Sequence, residues 1–182
     1  MNLAPVIAVV GPSGVGKDSV MEALAARAPG FQRVRRAITR PAGEDGEDFD
    51  RVSSQQFAQM AEDGAFALHW SAHGLTYGIP KEIEDQRRKA EAVLVNLSRA
   101  VLLQAQEVFG DLIVISLTAD ADVLRQRLSA RARENRDEQA RRLGRARTAL
   151  PDGLLQVIEV DNTGPLTATV DEILTRIQPE RV

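Results

Sequence analysis

The sequence predicts an α/β chain built on a parallel sheet with helices on both faces. Three observations carry that prediction. First, Gly11-Pro12-Ser13-Gly14-Val15-Gly16-Lys17-Asp18-Ser19 follows the apolar run Val6-Ile7-Ala8-Val9-Val10 and precedes a helical spacing at Val20, Leu24 and Ala25. Second, the other strong apolar runs, Ala92-Val93-Leu94-Val95-Asn96 and Leu112-Ile113-Val114-Ile115-Ser116-Leu117-Thr118, are short and continuous rather than alternating. Third, helix-length segments separate these runs. Continuous apolar strands set between helices are buried on both faces, which is the signature of a covered parallel sheet.

Taken in chain order, a strand at 5–10 feeds the glycine loop, and a helix follows at 17–28. A strand lies around 33–38, with helices at 53–62 and 80–90. The central apolar strand at 92–96 leads to a helix at 98–108, and the strand at 112–118 leads to helices at 120–132 and 137–149. A last strand at 155–160 precedes a helix at 165–177. Two segments interrupt the alternation. Residues 39–52 are polar and rich in glycine and acid, and residues 131–137 (Arg-Ala-Arg-Glu-Asn-Arg-Asp) divide two arginine-studded helices. Loops of this length are either binding segments and lids or ordinary surface loops. No repeat, low-complexity tract or linker divides the chain, so residues 1–182 are expected to form one domain.

Bulk composition narrows the function classes. With 182 residues, 43% hydrophobic and 27% charged, the chain has ordinary soluble composition and enough length for a substantial core. No apolar run approaches the roughly 18 residues of a membrane span, and no secretory leader is evident. There is no cysteine, which excludes disulfides, thiolate zinc sites and thiol chemistry, so the expected location is cytoplasmic. A net charge of −3 argues against a nucleic-acid binder. The basic residues nevertheless cluster. Arg33, Arg35, Arg36 and Arg40 form one group, and a second runs from Arg125 and Arg127 through Arg131, Arg133, Arg136, Arg141, Arg142, Arg145 and Arg147. Arginine suits bidentate contact with phosphate oxygens, although a solvated helix face gives the same pattern.

Strand, glycine loop, lysine and helix together form a phosphate cradle. Gly11, Gly14 and Gly16 let backbone approach a β-phosphate, with Pro12, Ser13 and Val15 completing the loop, and Lys17 bridges the β- and γ-phosphates of ATP. The hydroxyl usual after the lysine comes one residue late, because Asp18 precedes Ser19. Asp18 and Ser19 are therefore candidate Mg²⁺ ligands. Asp18 has two readings: a carboxylate holding the ion through water, or an acid favouring the first helical turn. Neither Asn96, which ends a strand, nor Asp120, which follows one, is a clear second acidic metal ligand. Arg131, Arg133 and Arg136, with Arg142 behind them, are placed to neutralise a transferring phosphoryl group, which favours transfer over hydrolysis.

The chain resembles guanylate-kinase-fold proteins over almost its whole length. The resemblance rests on Gly-Pro-Ser-Gly-Val-Gly-Lys at 11–17 with the late hydroxyl, Thr39-Arg40-Pro41 followed by Gly43-Glu44, Gly64-Ala65-Phe66, Gly74-Leu75-Thr76-Tyr77-Gly78, Arg127-Leu128-x-x-Arg131, and Arg142-Leu143. It implies a P-loop NTPase three-layer sandwich with an acceptor-binding region at 31–90 and a lid at 131–137. It also implies catalytic roles for Lys17, Arg131 and Arg142, and places Asp161-Asn162-Thr163-Gly164 near adenine. A helix N-cap by Asn162 or Thr163 explains the same residues.

Departures from the guanylate kinase pattern redirect the acceptor. Leu68 stands where those enzymes carry a guanine-reading glutamate, and Asn96 or an apolar neighbour replaces a second reader. Phe49 replaces a tyrosine that holds the nucleotide phosphate, the loop after Arg40 is short and lacks a second arginine, and Arg36 replaces a serine. A base edge facing leucine loses roughly 1–3 kcal/mol per unpaired group. The phrases Gly-Pro-Ser-Gly-x-Gly-Lys-Asp-Ser, Arg36-x-x-Thr-Arg-Pro, His73-Gly-Leu-x-Tyr-Gly-Ile-Pro and Val-Leu-Val-Asn-x-Ser-Arg99 are similar to those of the ribose 1,5-bisphosphate phosphokinases of phosphonate breakdown. That resemblance implies transfer from ATP to ribose 1,5-bisphosphate with Mg²⁺, giving ADP and 5-phosphoribosyl 1-diphosphate, by a monomer or homodimer with no membrane or nucleic-acid partner. Arg36, Arg40 and Tyr77 would grip one substrate phosphate and Arg99 another. His73 either binds sugar or phosphate or is structural. Glu44, Asp45, Glu47 and Asp48 either bind ribose hydroxyls or a second Mg²⁺ or form a solvated loop, while His69 and Trp70 read as core or cleft wall. The alternatives are a guanylate kinase acting on GMP and a non-catalytic binding module of the same fold.

Overall fold

The computed structural model describes residues 2–41, 48–130 and 149–177. In chain order its first half runs β1 (Val6–Val10), α1 (Lys17–Arg27), β2 (Phe31–Arg33), β3 (Ala37–Ile38), β4 (Asp50–Arg51), α2 (Ser54–Glu62), β5 (Phe66–Ala72) and β6 (Leu75–Pro80). The second half runs α3 (Ile83–Lys89), β7 (Ala92–Asn96), a 3₁₀ turn (Arg99–Val101), α4 (Leu102–Phe109), β8 (Leu112–Thr118), α5 (Ala121–Ala130), β9 (Val157–Asp161) and α6 (Leu166–Ile177).

The predicted parallel sheet is present, with strand order β2-β7-β1-β8-β9. All five residues of β1 are buried, as are all five of β7. Alternation divides their side chains between two cores. Val6, Ala8 and Val10 face one, which is closed by Leu102, Ala105 and Phe109 of α4 and by Ile83 of α3. Ile7 and Val9 face the other, closed by Val20, Met21 and Leu24 of α1, Leu124 of α5, and Val170 and Ile173 of α6. This is the physical reason the runs are continuous: neither face of these strands meets water.

A second sheet, β4-β3-β6-β5, lies against the first core. β5 and β6 form an antiparallel hairpin, β3 adds antiparallel to β6, and β4 adds parallel to β3. One face contributes Ile38, Leu68, Trp70, Tyr77 and Ile79 to the first core. The opposite face carries Ala37 and Phe66 against Phe57 of α2. α2 begins with a reciprocal capping box, in which the Gln56 N–H donates to Ser53 Oγ and the Ser53 N–H donates to Gln56 Oε1.

Several expected boundaries change. The single strand expected around 33–38 is two strands in two sheets, because after Val34 donates to Leu94 O the chain leaves the parallel sheet. The helix expected at 98–108 begins as a 3₁₀ turn, and the helix expected at 80–90 starts only at Ile83. The hairpin was not among the expected strands. The helix expected at 137–149 falls almost wholly outside the described residues. Among the described residues no helix is long and apolar enough to cross a membrane.

One buried cation ties three elements together. Arg87 of α3 is 3% exposed; its Nε donates to Ala4 O at 2.8 Å and its Nη2 to Phe109 O at 3.1 Å, with the guanidinium 5.8 Å from the Phe109 ring centre. Removing it strands two carbonyls. Arg87→Ala is expected to lose about 2–4 kcal/mol in urea unfolding. Arg27→Ala, which breaks only the exposed pair with Asp171, should lose under about 1 kcal/mol.

Candidate active site

Parallel strands deliver their following loops to one edge, and in open α/β sheets ligands bind outside the carboxyl ends. Here that edge collects the glycine loop after β1, Arg36 after β2, Asn96 to Arg99 after β7, Asp120 after β8 and Asn162 after β9. The strand order puts the glycine loop in the middle. Arg36 and Arg99 leave strands on one flank of it, Asp120 and Asn162 on the other.

The glycine loop is held open by its backbone conformation and by side chains behind it. Gly14 and Gly16 have φ of 83° and 98°, the left-handed region that glycine enters without steric cost. Gly16 is also the N-cap of α1 and supplies no side-chain cap. The first intrahelical bond there runs from Val20 N to Gly16 O, so the amides of Lys17, Asp18 and Ser19 lie ahead of the helix's own ladder. A helix N-terminus of this kind attracts phosphate oxygens. Lys17 Nζ donates to Gly11 O at 3.0 Å, which lays the ammonium back across the loop.

On the β9 flank the loop's carbonyls are drawn outward. Asn162 Nδ2 donates to Val15 O at 2.7 Å, and its Oδ1 accepts from the Thr169 hydroxyl at 2.6 Å. Arg127 of α5 donates to Val15 O at 3.0 Å and to Asn162 O at 2.8 Å. Asn162 is expected to touch ATP or to cap a helix; its side-chain hydrogen bonds go to the glycine loop and to Thr169. Thr163 Oγ1 accepts from Asp120 N, and Thr163 N donates to Asp161; the Asp161 carboxyl is held below its ordinary range by hydrogen bonding from the Thr163 side chain and then its backbone N–H. Gly14, Gly16, Ser19, Arg127, Asn162, Gly164 and Leu166 line a cleft of about 470 Å³. Arg127 is expected from the sequence as part of an arginine cluster and of the Arg127-Leu128-x-x-Arg131 phrase, not as a brace for the glycine loop. The available signal was its place beside Leu124 and Leu128 on the inner face of α5, where a solvated arginine does not belong.

On the other flank, the candidates Arg36 and Arg40 sit on aromatic rings. Arg36 is only 6% exposed, with its guanidinium 4.9 Å from the Tyr77 ring centre. Arg40 and Arg51 lie 5.1 and 5.6 Å from the Phe49 ring centre, and Arg51 Nε donates to Arg40 O. Arg35 binds Asp48, Asp50 and the Phe49 carbonyl, which draws that segment against β3. Arg99 is half-buried, and desolvation lowers its guanidinium pKa. His73 and Gly74 make a two-residue hairpin turn with φ of 54° and 74°, so His73 occupies a left-handed turn position at the hairpin tip. Leu68 is 1% exposed and lies inside the first core rather than on an open wall. Trp70 is core, whereas His69 is exposed on the opposite face. Arg131, Arg133, Arg136 and Arg142, with Glu44, Asp45 and Glu47, lie outside the described residues.

The oxygen donors suit a hard cation. Asp18 and Ser19 are in the first turn of α1, and Ser19 lines the cleft with Gly14 and Gly16. Among the described residues no cluster of three or more His, Cys, Asp or Glu is arranged to hold a metal. An ion shared between one or two protein oxygens and nucleotide phosphates, the usual mode for Mg²⁺, needs no such cluster.

Two substitutions test the loop. A Cβ on Gly16 would lie 2.8 Å from Asn162 Nδ2 at an unfavourable φ, so Gly16→Ala is expected to weaken ATP binding at least ~10-fold in calorimetry. Asn162→Ala leaves Val15 O short of a donor and should weaken ATP similarly; an unchanged Kd in both would contradict the bracing role.

The chain is similar to known proteins in sequence and in fold. A family described as an AAA domain matches residues 7–147. The chain is 58% identical over 177 residues to the ribose 1,5-bisphosphate phosphokinase PhnN of Ruegeria sp. (strain TM1040), covering 97% of this chain and 93% of that protein. It is 46% identical over 174 residues to the protein of the same name from Pseudomonas fluorescens (strain SBW25), covering 92% of each. Among solved structures, guanylate kinase from Anaplasma phagocytophilum superposes with a TM-score of 0.66 at 19% identity, covering 100% of this chain and 89% of that one. A gluconokinase from Sinorhizobium meliloti 1021 gives 0.55 at 20% identity, covering 96% and 92%. These two share the fold. The glycine loop, the braced cleft beside it and the sequence identity together establish that the chain belongs to the AAA-domain P-loop proteins and, among them, to the PhnN family of ribose 1,5-bisphosphate phosphokinases.

Proposed function

We propose that this chain transfers the γ-phosphoryl group of ATP to the 1-phosphate of ribose 1,5-bisphosphate, forming 5-phosphoribosyl 1-diphosphate and ADP. The observation that carries the reading is the 58% identity, over nearly the whole chain, to a relative of that name. The placement of Arg36 beside Tyr77 supports it, because an added guanidinium on the acceptor flank suits a multiply phosphorylated acceptor. Leu68, sealed in the core, offers no polar group to a purine edge.

An acceptor oxygen on the 1-phosphate attacks the γ-phosphorus while the bond to the β–γ bridging oxygen breaks, and ADP departs with that electron pair. A phosphate monoester is largely dianionic at neutral pH, so no side chain has to remove a proton. The work left to the chain is positioning and charge neutralisation. The amides of the glycine loop and α1 hold the β-phosphate. Lys17 swings from Gly11 O to the β- and γ-oxygens. Arg36, Arg40 and Tyr77 hold one phosphate of the sugar, and Arg99 the other. Asp18 and Ser19 would hold Mg²⁺, which would supply further neutralisation of the nucleotide phosphate charge.

In this reading residues 1–182 act as one guanylate kinase-like domain, with residues 31–90 forming the acceptor region. The product belongs to phosphonate breakdown and the enzyme to the cytoplasm.

The test is transfer of label from γ-labelled ATP to a product with the mass of 5-phosphoribosyl 1-diphosphate; its absence would refute the assignment. Lys17→Ala should lower kcat ~100–1000-fold with the fold intact. Arg36→Ser should raise KM for the sugar ~10-fold or more while KM for ATP holds; an equal rise in both would remove Arg36 from the acceptor site.

A further inference from the structure

We propose that Trp70, stacked on Tyr77, is a positioning residue for Arg36 on the acceptor side, and that its indole reports occupation of that side. This rests on the acceptor reading above. The hairpin register pairs Trp70 of β5 with Tyr77 of β6, and β3 pairs Ile38 with Tyr77 from the other side. Arg36 lies two residues before Ile38, so alternation carries it to the same sheet face as Tyr77. Trp70 and Arg36 therefore flank Tyr77 from opposite neighbouring strands.

The side chains follow that backbone arrangement. The Trp70 and Tyr77 rings are 5.4 Å apart at an interplanar angle of 8°, and the Arg36 guanidinium is 4.9 Å from the Tyr77 ring centre. Arg36, Tyr77 and Trp70 are all buried, at 6%, 6% and 9% exposed. A Tyr ring held by a stacked indole has little freedom to tilt, and a guanidinium over its face is attracted by the ring quadrupole. The Arg36 backbone is pinned as well, because Asp50 N donates to its carbonyl at 2.8 Å. An arginine fixed at both ends loses less freedom when it grips a phosphate, which favours binding. Any tilt of Tyr77 moves the guanidinium with it.

The chain contains one tryptophan, so fluorescence reads this stack alone. Filling the nucleotide site with ADP and titrating inorganic phosphate probes the acceptor side whichever sugar is used. The wild-type indole is expected to respond, and Arg36→Ser to abolish the response although Trp70 is intact. No wild-type response, or one that persists in Arg36→Ser, overturns the proposal.

Kinetics supply the second arm. Trp70→Phe keeps an aromatic stack and should hold the acceptor KM within about 3-fold. Trp70→Leu keeps apolar burial without the stack and should raise the acceptor KM ~10-fold, with kcat and the ATP KM nearly unchanged. Equal KM rises for both substrates, or no change, would make Trp70 a packing residue only. Should Trp70→Leu not fold, the fluorescence titration decides the matter. Failure of the acceptor reading looks different: wild-type enzyme would then respond to phosphate yet not turn over ribose 1,5-bisphosphate.

Discussion

The carbonyl of Val15 is the point on which the site turns. A loop that offers its amides to phosphate must send its carbonyls elsewhere, and a buried carbonyl without a donor costs about 1–3 kcal/mol. Asn162 and Arg127 both donate to Val15 O, and Arg127 also holds Asn162 O. The loop after β1, the turn after β9 and the inner face of α5 are thereby fixed to one another. Thr169 carries the restraint into α6. What looks like a feature of seven consecutive residues is maintained from 112 and 147 residues away along the chain.

The parallel sheet makes that convergence possible. The central strands β1 and β7 bury both faces, so their ends alone are available for chemistry, and all five carboxyl ends of the sheet share an edge. The glycine loop divides the edge into a cleft beside β9 and the flank proposed to take the acceptor, where the second sheet meets the first core. Three arginines on that flank share a physical setting. Arg36 lies over Tyr77, while Arg40 and Arg51 lie over Phe49. A ring face attracts a guanidinium through its quadrupole and so helps to orient it. Phe49, read in sequence as a tyrosine that had lost its hydroxyl, has a role of its own as that surface.

Legibility in the sequence followed the range of the interactions. β1, β7 and β8 were readable because continuous burial leaves a local trace, and the glycine loop because positive φ demands glycine at Gly14 and Gly16. The division of residues 33–38 between two sheets was not, since Val34, Arg35 and Arg36 carry no turn residue and the break is imposed by pairing with Leu94 and Asp50. The hairpin was partly visible in His73-Gly74, a dipeptide compatible with two left-handed residues. The bracing bonds of Arg127 were not legible because its partners are backbone carbonyls up to 113 residues away, and Thr169 carries no pattern that marks its hydroxyl for Asn162. The acceptor assignment was legible through substitutions, with Arg36 and Leu68 marking departures from a guanine-reading site. The structure then gave Leu68 a physical setting, deep in the core beside Trp70 and Ile79.

In the proposed function this flank takes a sugar carrying two phosphates and not a purine nucleotide. The most direct measurement is the ratio of kcat/KM for ribose 1,5-bisphosphate to that for GMP, with ATP saturating and both acceptors assayed on the same wild-type preparation. A site with Arg36 present and no polar guanine reader at Leu68 predicts a ratio above about 100, equivalent to roughly 3 kcal/mol of discrimination. A ratio near or below one would contradict the claim and return the chain to nucleotide phosphorylation.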